Sequence, residues 1–263
     1  AKLLIDDGTA ADAAGATAWI TSHSDADIAA YLRGKPASTL LKVGLRTVGG
    51  LPNSTSSGPI PEGTVVATDP IAAILAGDYV KTPLLAGMTN AEGKLLSSFL
   101  PLVGYPAGIK LPDAQLFPIL FEPAKAQAAS FGDVINPAYA DGAAYDPAIA
   151  ELDAKFFGAL RDNMLNAFIT QTPQQVWSYR FDWKREPAPW NDVYGAAHAF
   201  DLPFLLGNFG PSLYANVIVS TANQGGRLAL SDAMMSSLAA FARTGDPNNA
   251  ALGVTWPNWP KVL

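Results

Sequence analysis

Apolar side chains recur every three or four positions in several segments, which predicts helices that bury one face. The longest such pattern follows Asp146-Pro147, where we expect an N-cap with proline at the first helical position. The buried face of this helix should comprise Ile149, Leu152, Phe156, Leu160, Met164 and Phe168. Residues 113–131 also have a helical pattern, interrupted at Pro118 and Pro123. A last helix is expected to begin at Ser231 and to end at Gly245, after a loop that runs to about Arg227.

Two short segments have the pattern of β-strands. Val80 to Gly87 is a short apolar run typical of a buried strand, and its Pro83 indicates that the strand either starts there or is irregular. Val176 to Trp183 alternates and is rich in β-forming residues. A turn and then a helix from Glu92 to Phe99 should follow the first strand. Strands that alternate with helices predict an α/β architecture.

Shorter elements are marked by their capping residues. Residues 9–20 are rich in alanine and predict a helix, and Ser24 to Asp27 has the form of a capping box that opens another. Asp69-Pro70 should open a helix that Gly77 ends. Before the helix that opens at Asp69, residues 44–69 are rich in Gly, Pro, Ser and Thr, which predicts a long surface loop.

The composition limits the possible partners and cofactors. The 263 residues carry a net charge of −6 and no basic run, which argues against nucleic acid or an anionic membrane surface as partner. Because cysteine is absent, disulfides, thiolate metal sites and a cysteine nucleophile are excluded. No apolar run approaches the roughly 18 residues of a membrane span. We therefore expect no membrane span, no metal site and no cofactor.

One of only two histidines lies in an unusual setting. His198 has small residues on both sides and stands between the aromatic side chains of Tyr194 and Phe200. Histidine is the only side chain whose ordinary pKa, about 6.5, lets it take up and release a proton near neutral pH. A lone histidine is more often a structural residue than a catalytic one, so the setting alone leaves both roles open.

The order of the predicted elements bears on that choice. In open α/β sheets, functional groups collect at the carboxyl ends of the strands. One predicted strand is followed by Glu92, and the next by His198. This order, acid before histidine, is the second half of the Ser…Asp/Glu…His order of an α/β-hydrolase triad.

Several segments resemble type-B carboxylesterases, the family that includes the cholinesterases. Pro83 to Gly93, which ends Asn-Ala-Glu-Gly, resembles the family's strand-plus-acid segment, and Val193 to Phe204 resembles its histidine loop. The last helix and tail are similar to the family's closing segments, at Leu230 to Met235, Phe241 to Asn248 and Trp256-Pro257. The resemblance covers residues 58–263 and is weaker over 1–57. It implies that residues 1–263 form the C-terminal portion of a single α/β-hydrolase domain.

The resemblance also implies roles for individual residues. Glu92 would be the triad acid and His198 the general base and acid, with the carboxylate fixing the tautomer of the imidazole. Asp201 matches a second acidic position of the histidine loop and is a candidate outer support for His198, with an ordinary N-cap or surface acid as the alternative. Three aromatic residues either line an acyl or alcohol pocket or pack in the core: Phe99, Phe200 and Phe204.

The sequence departs from the family pattern at important places. Ala199 stands where the family usually has glycine, and Ala91 where it often has an acid. No serine is flanked as Gly-x-Ser-x-Gly, and the glycine-rich oxyanion strand is absent. The chain also has no initiator methionine, as expected of a processed product or a fragment. We therefore expect a companion N-terminal chain that carries the nucleophilic serine and the oxyanion hole, without which this chain is inactive.

The predicted function is carboxylic ester hydrolysis through an acyl-enzyme, with a small-molecule ester as substrate. A second hypothesis is a non-catalytic, cholinesterase-like binding or adhesion module that has lost its nucleophile. A third is a complete small hydrolase with an unusual serine.

Overall fold

The computed structural model describes residues 1–44, 47–48, 51–52, 61–139 and 142–263. The chain divides into two compact units, Ala1–Ile60 and Pro61–Leu263.

The first unit is helical over most of its described residues. Its elements are α1 (Lys2–Asp6), α2 (Ala13–Ser22), α3 (Asp25–Arg33), α4 (Ala37–Gly44) and the antiparallel strands β1 (Thr47–Val48) and β2 (Leu51–Pro52). The predicted capping box is confirmed, because Ser24 and Asp27 each accept the other's backbone N–H at the start of α3. The two short strands fall inside the stretch 44–69 that was expected to be a loop. Gly44, the first residue of that stretch, ends α4, and residues 45–46, 49–50 and 53–60 lie outside the described residues.

The second unit contains the parallel strands and most of the helices. Its elements are α5 (Pro70–Ala76), β3 (Leu84–Thr89), α6 (Glu92–Leu95), α7 (Asp113–Phe121), α8 (Pro123–Ala128), α9 (Phe131–Val134), α10 (Tyr145–Asp153), α11 (Ala159–Ile169), β4 (Val176–Phe181), α12 (Trp190–Val193), α13 (Leu202–Leu206), α14 (Ala215–Ile218) and α15 (Gln224–Thr244). The predicted boundaries of α5 are confirmed, since Asp69 caps its start and Gly77 ends it in the left-handed conformation.

The two longer strands pair in parallel, with Leu84 opposite Val176 and Thr89 opposite Phe181. A parallel pair needs a long crossover, which the helices α6 to α11 supply. The outer edge of β4 is covered by the C-terminal residues, since Leu263 donates its N–H to Ser178 and accepts from Arg180. This arrangement of parallel strands and helices confirms the predicted α/β architecture.

The helix expected from Glu92 to Phe99 is a single turn of α-helix that passes into a 3-10 helix at Ser97–Val103. The predicted break at Pro118 is wrong, because α7 runs through that proline with Leu116 and Leu120 anchored in the core on either side. The second predicted interruption is confirmed by the start of α8 at Pro123.

The helix after Asp146 differs from its prediction in two ways. It begins at Tyr145, and the Asp146 carboxylate pairs with lysine ammonium groups instead of capping the backbone. A π-helical turn at Ala154–Gly158 separates α10 from α11. The extra residue in this turn rotates the following side chains, so that Leu160 is 68% exposed and Leu165 is buried instead.

The last helix starts earlier than predicted. α15 begins at Gln224, and Ser231 lies inside it, where its hydroxyl donates to the backbone oxygen of Phe204 (2.8 Å). The predicted loop before it contains α13 and α14. The predicted end at Gly245 is confirmed.

Candidate active site

The acid turn is formed by residues 89–93, at the carboxyl end of β3. Glu92 begins α6 and is buried, with 6% of its surface exposed. Its Oε1 accepts the backbone N–H of Thr89 at 2.7 Å. This hydrogen bond fixes one oxygen of the carboxyl group and leaves the second oxygen for another partner.

That second oxygen contacts His198. The distance from Glu92 Oε2 to His198 Nδ1 is 2.6 Å, although the two residues are 106 positions apart in sequence. A carboxylate only accepts hydrogen bonds, so this contact suits the tautomer with the proton on Nδ1, which leaves Nε2 for a second partner. The His198 side chain is 49% exposed, so the ring is accessible from solvent.

Backbone contacts bring the acid turn and the histidine loop, residues 194–200, together. The N–H of Asn90 donates to the oxygen of Phe181 at the end of β4, and the N–H of Ala91 donates to Ala196, both at 2.9 Å. Ala91 and Ala197 form an isolated parallel bridge. The parallel pairing of the strands thus continues past their ends and sets the acid beside the histidine.

Two residues of the histidine loop have positive φ angles. Gly195 has a φ of +49°, and a Cβ there would lie 2.9 Å from the backbone oxygen of Asn191. Ala199, directly after the histidine, has a φ of +64°. This conformation is strained for alanine, because its Cβ crowds the following carbonyl.

A second carboxyl group, which no sequence motif marks, lies behind the acid turn. Asp153 is buried at the end of α10 and accepts the N–H of Gly93 at 2.7 Å. Burial raises the pKa of the Asp153 carboxyl to about 7, the hydrogen bond from Gly93 opposes this rise, and the charge of Glu92 adds to it. Asp153 therefore gains a proton at a pH at which most aspartates are ionised.

A buried lysine also stands in the acid turn's helix. Lys94 is 3% exposed, and its Nζ lies 2.7 Å from Asp146 Oδ1 and donates to the backbone oxygen of Asp192 at 2.9 Å. Burial lowers the pKa of Lys94, whereas the contact with Asp146 opposes that change. No sequence pattern marks Lys94, because a lysine in a short helix is normally exposed.

Asp201 does not contact His198 directly. Its Oδ2 accepts the hydroxyl of Tyr179 at 2.6 Å. It is buried at the N-cap position of α13, but its side chain does not cap that helix. The side-chain hydrogen bond of Asp201 therefore goes to β4 and not to the imidazole of His198.

The three aromatic candidates for a substrate pocket are placed as follows. Phe200 and Phe204 are buried in the main hydrophobic core, and Phe99 is half-buried against it. These positions match the core-packing alternative. A phenylalanine that was not predicted, Phe157 in the π-helical turn, lies with its ring centroid 6.1 Å from that of His198.

The described residues include no group of three or more histidine, aspartate or glutamate side chains arranged to hold a metal ion. Among the same residues, no helix is both long and apolar enough to cross a membrane. The arrangement of a buried carboxylate and an oriented, half-exposed imidazole is suited to moving a proton to and from a hydroxyl group.

Comparisons with known proteins give one family. A model described as the carboxylesterase family matches residues 6–262. The chain is similar in structure to carboxylesterase EST55 of Geobacillus stearothermophilus, with 25% identity and a TM-score of 0.55 over 86% of this chain and 43% of that one. No curated protein matches the chain.

Two further structures show similarity of fold. One is described as PNB esterase, with 21% identity and a TM-score of 0.53 over 86% of this chain and 43% of that chain. The other is EstA of Aspergillus niger, with 18% identity and a TM-score of 0.51 over 87% of this chain and 44% of that chain. The chain thus spans less than half the length of each of these three structures.

Proposed function

The chain belongs to the carboxylesterase family and has part of the α/β-hydrolase fold, and we propose that it supplies the acid and the base of a Ser-His-Glu triad in a carboxylic ester hydrolase. The observation that carries this proposal is the 2.6 Å contact between His198 Nδ1 and Glu92 Oε2, with the ring exposed on one side. The substrate class is a small-molecule ester.

The proposed roles follow from the geometry. His198 Nε2 takes the proton of the serine hydroxyl as the serine attacks the ester carbonyl, and gives it to the leaving alcohol. A water molecule then repeats the cycle to release the acid from the acyl-enzyme. Glu92 holds the imidazole in the tautomer that leaves Nε2 free and stabilises the imidazolium that forms. Thr89 fixes the carboxylate through its backbone N–H.

The nucleophilic serine and the oxyanion hole are proposed to come from a companion N-terminal chain or segment. No serine of the 263 residues is flanked as Gly-x-Ser-x-Gly. Among the described residues, β3 pairs only with β4, and most of its side chains are half-buried. Strands of a parallel sheet are normally buried on both faces, so the open edge of β3 is suited to receive a further strand. In this proposal, residues 1–263 are the C-terminal portion of one hydrolase domain.

Substitution of the two triad residues tests the proposal in the assembled protein. We expect His198→Ala to lower kcat for a p-nitrophenyl ester by about 10⁴-fold or more, and Glu92→Gln to lower it by roughly 10³-fold. His23, the other histidine, is exposed in the first unit and stacks on Trp19, so His23→Ala is the matched control and should keep full activity. Undiminished hydrolysis by His198→Ala would contradict the proposal.

A fluorophosphonate probe, which reacts with activated serines, distinguishes the proposal from its rivals. We expect mass spectrometry to locate the adduct on a serine outside residues 1–263. An adduct on a serine within these residues would instead support a complete small hydrolase. The absence of any adduct, together with the absence of hydrolysis, would support a non-catalytic binding module.

A further inference from the structure

Lys94 joins the same two chain segments as the proposed catalytic pair. It lies two residues after Glu92, and its Nζ donates to the backbone oxygen of Asp192, six residues before His198. Its second partner, Asp146, belongs to α10. One buried ammonium group therefore connects the acid turn, the segment that leads into the histidine loop, and a core helix.

The Lys94 contact adds to two other contacts between the acid turn and the histidine loop. The acid turn and the histidine loop are also joined by the N–H of Ala91 on Ala196 and by the contact of Glu92 with His198. The link from Lys94 to Asp192 adds a third point of attachment, six residues before His198 in the chain. Three separated attachments fix both the distance and the relative orientation of two segments, whereas two leave a rotation about the line that joins them.

The chemistry of the group favours a directional role. Burying an ammonium ion costs several kcal/mol unless it is paired and hydrogen-bonded. A methionine could fill much the same volume without that cost, so volume alone does not account for a lysine here. What the ammonium adds is two short, directed bonds, one to a carboxylate and one to a carbonyl, at 2.7 and 2.9 Å.

Lys184 is a second lysine near Asp146 and Asp192, but its contacts with them differ from those of Lys94. Its Nζ lies 3.5 Å from Asp146 and 3.4 Å from the Asp192 carboxylate, but the side chain is 45% exposed. Exposed pairs of this kind contribute little, because water and salt screen them. Lys94, by contrast, is buried and bonded to the backbone itself.

We infer that Lys94 is a positioning residue for the Glu92–His198 pair, holding the end of α12 against the acid turn so that the imidazole meets the carboxylate. This inference rests on the proposed esterase function, since its consequence for rate requires that the pair be catalytic. Its consequence for geometry is independent of activity.

The test compares Lys94→Met with Lys184→Met in the assembled protein. Because small misplacements of a catalytic group can cost about 100-fold in rate, we expect Lys94→Met to lower kcat by about 10- to 100-fold while KM changes less than about twofold. Lys184→Met should stay within about twofold of the parent for both parameters. Asp146→Asn, at a side chain that is 57% exposed, should lower kcat in the same direction by a smaller factor and serves as the second variant if Lys94→Met does not fold.

A spectroscopic readout separates positioning from a general loss of stability. The Nδ1 proton of His198, bonded to Glu92, should give a downfield proton NMR signal that broadens or moves upfield in Lys94→Met but not in Lys184→Met. An unchanged signal with the parent kcat in folded Lys94→Met would overturn the inference. If His198→Ala retained full activity, the esterase proposal would fail instead, and the NMR signal would still decide whether Lys94 positions the pair.

Discussion

At the scale of single residues, the strained backbone of Ala199 leads to a stability prediction. Its φ of +64° costs an L-amino acid about 1–2 kcal/mol, whereas glycine adopts this conformation freely. Glycine also makes the unfolded chain more flexible, which gives back about 0.4–1 kcal/mol. We expect Ala199→Gly to raise the free energy of unfolding by roughly 0.5–1 kcal/mol, measured by urea denaturation.

The matched control for this prediction is a neighbouring alanine. Ala196 lies in the same loop but does not have a positive φ, so Ala196→Gly should destabilise the protein. Equal destabilisation by both glycine substitutions would show that Ala199 is not strained.

The buried carboxyl of Asp153 predicts a pH dependence of stability. An unfolded aspartate ionises near pH 3.8, whereas burial raises the folded pKa to about 7. Between these values the folded state holds one more proton, so this group makes stability fall as the pH rises. Asp153→Asn can still accept the hydrogen bond from the Gly93 N–H, but it has no proton to lose, so the fall in stability with rising pH should disappear.

The measurement is the difference in the free energy of unfolding between Asp153→Asn and the parent. This difference should move in favour of the variant by roughly 2 kcal/mol from pH 5.5 to pH 7.5 and then level off. Using the difference removes the effect of Glu186, a second buried carboxyl whose pKa burial raises to about 7. A flat difference for Asp153→Asn would contradict the prediction.

Sequence motifs identified Glu92 and His198, which the structure brings together at 2.6 Å, but they did not identify the buried Asp153 and Lys94. Glu92 and His198 stand in segments with a recognisable order and spacing. Asp153 and Lys94 carry no such signal, since an acid or a lysine in a helical segment is usually exposed. Their importance depends on burial and on partners that lie far away in sequence, which only the folded structure provides.

At the scale of elements, the pairing of β3 with β4 depends on a glycine. The Tyr179 ring lies directly over Gly87, and a Cβ at that position would be 2.0 Å from the ring carbon Cζ. Alanine would therefore displace the ring and its hydrogen bond to Asp201. We expect Gly87→Ala to lower the free energy of unfolding by about 1–3 kcal/mol, measured by urea denaturation.

A second glycine-to-alanine change provides the control. Gly225 lies in the first turn of α15 and has no heavy atom within 4 Å of an added Cβ. Because alanine favours helices over glycine, Gly225→Ala should leave stability unchanged or raise it by up to about 1 kcal/mol. A parent-like stability for Gly87→Ala would mean that the ring moves aside without cost.

The predicted elements were correct where local chemistry decides them. The caps at Ser24 and Asp69 and the ends at Gly77 and Gly245 depend on adjacent residues, and all four were predicted. The π-helical turn was missed, because a regular period of 3.6 residues fits the sequence on both sides of it. That turn shifts the buried face and sets Phe157 beside His198, so the error lies where the site is built.

At the scale of the whole molecule, the sheet has one covered edge and one open edge. The C-terminal residues hydrogen-bond along β4, whereas β3 has no second strand among the described residues. A two-stranded sheet is marginally stable by itself. The proposed companion segment would supply the missing strand and the nucleophile together, which links the completion of the fold to the completion of the triad.

This link predicts that assembly and activity appear together. Residues 1–263 alone should hydrolyse no p-nitrophenyl ester, and addition of the companion segment should produce hydrolysis and slow the amide hydrogen exchange of β3. The same mixture with His198→Ala should protect β3 equally but remain inactive, because the substitution lies outside the strand edge. Hydrolysis by residues 1–263 alone would contradict the prediction. Activity without added protection of β3 would show that the nucleophile reaches His198 by another route than this edge.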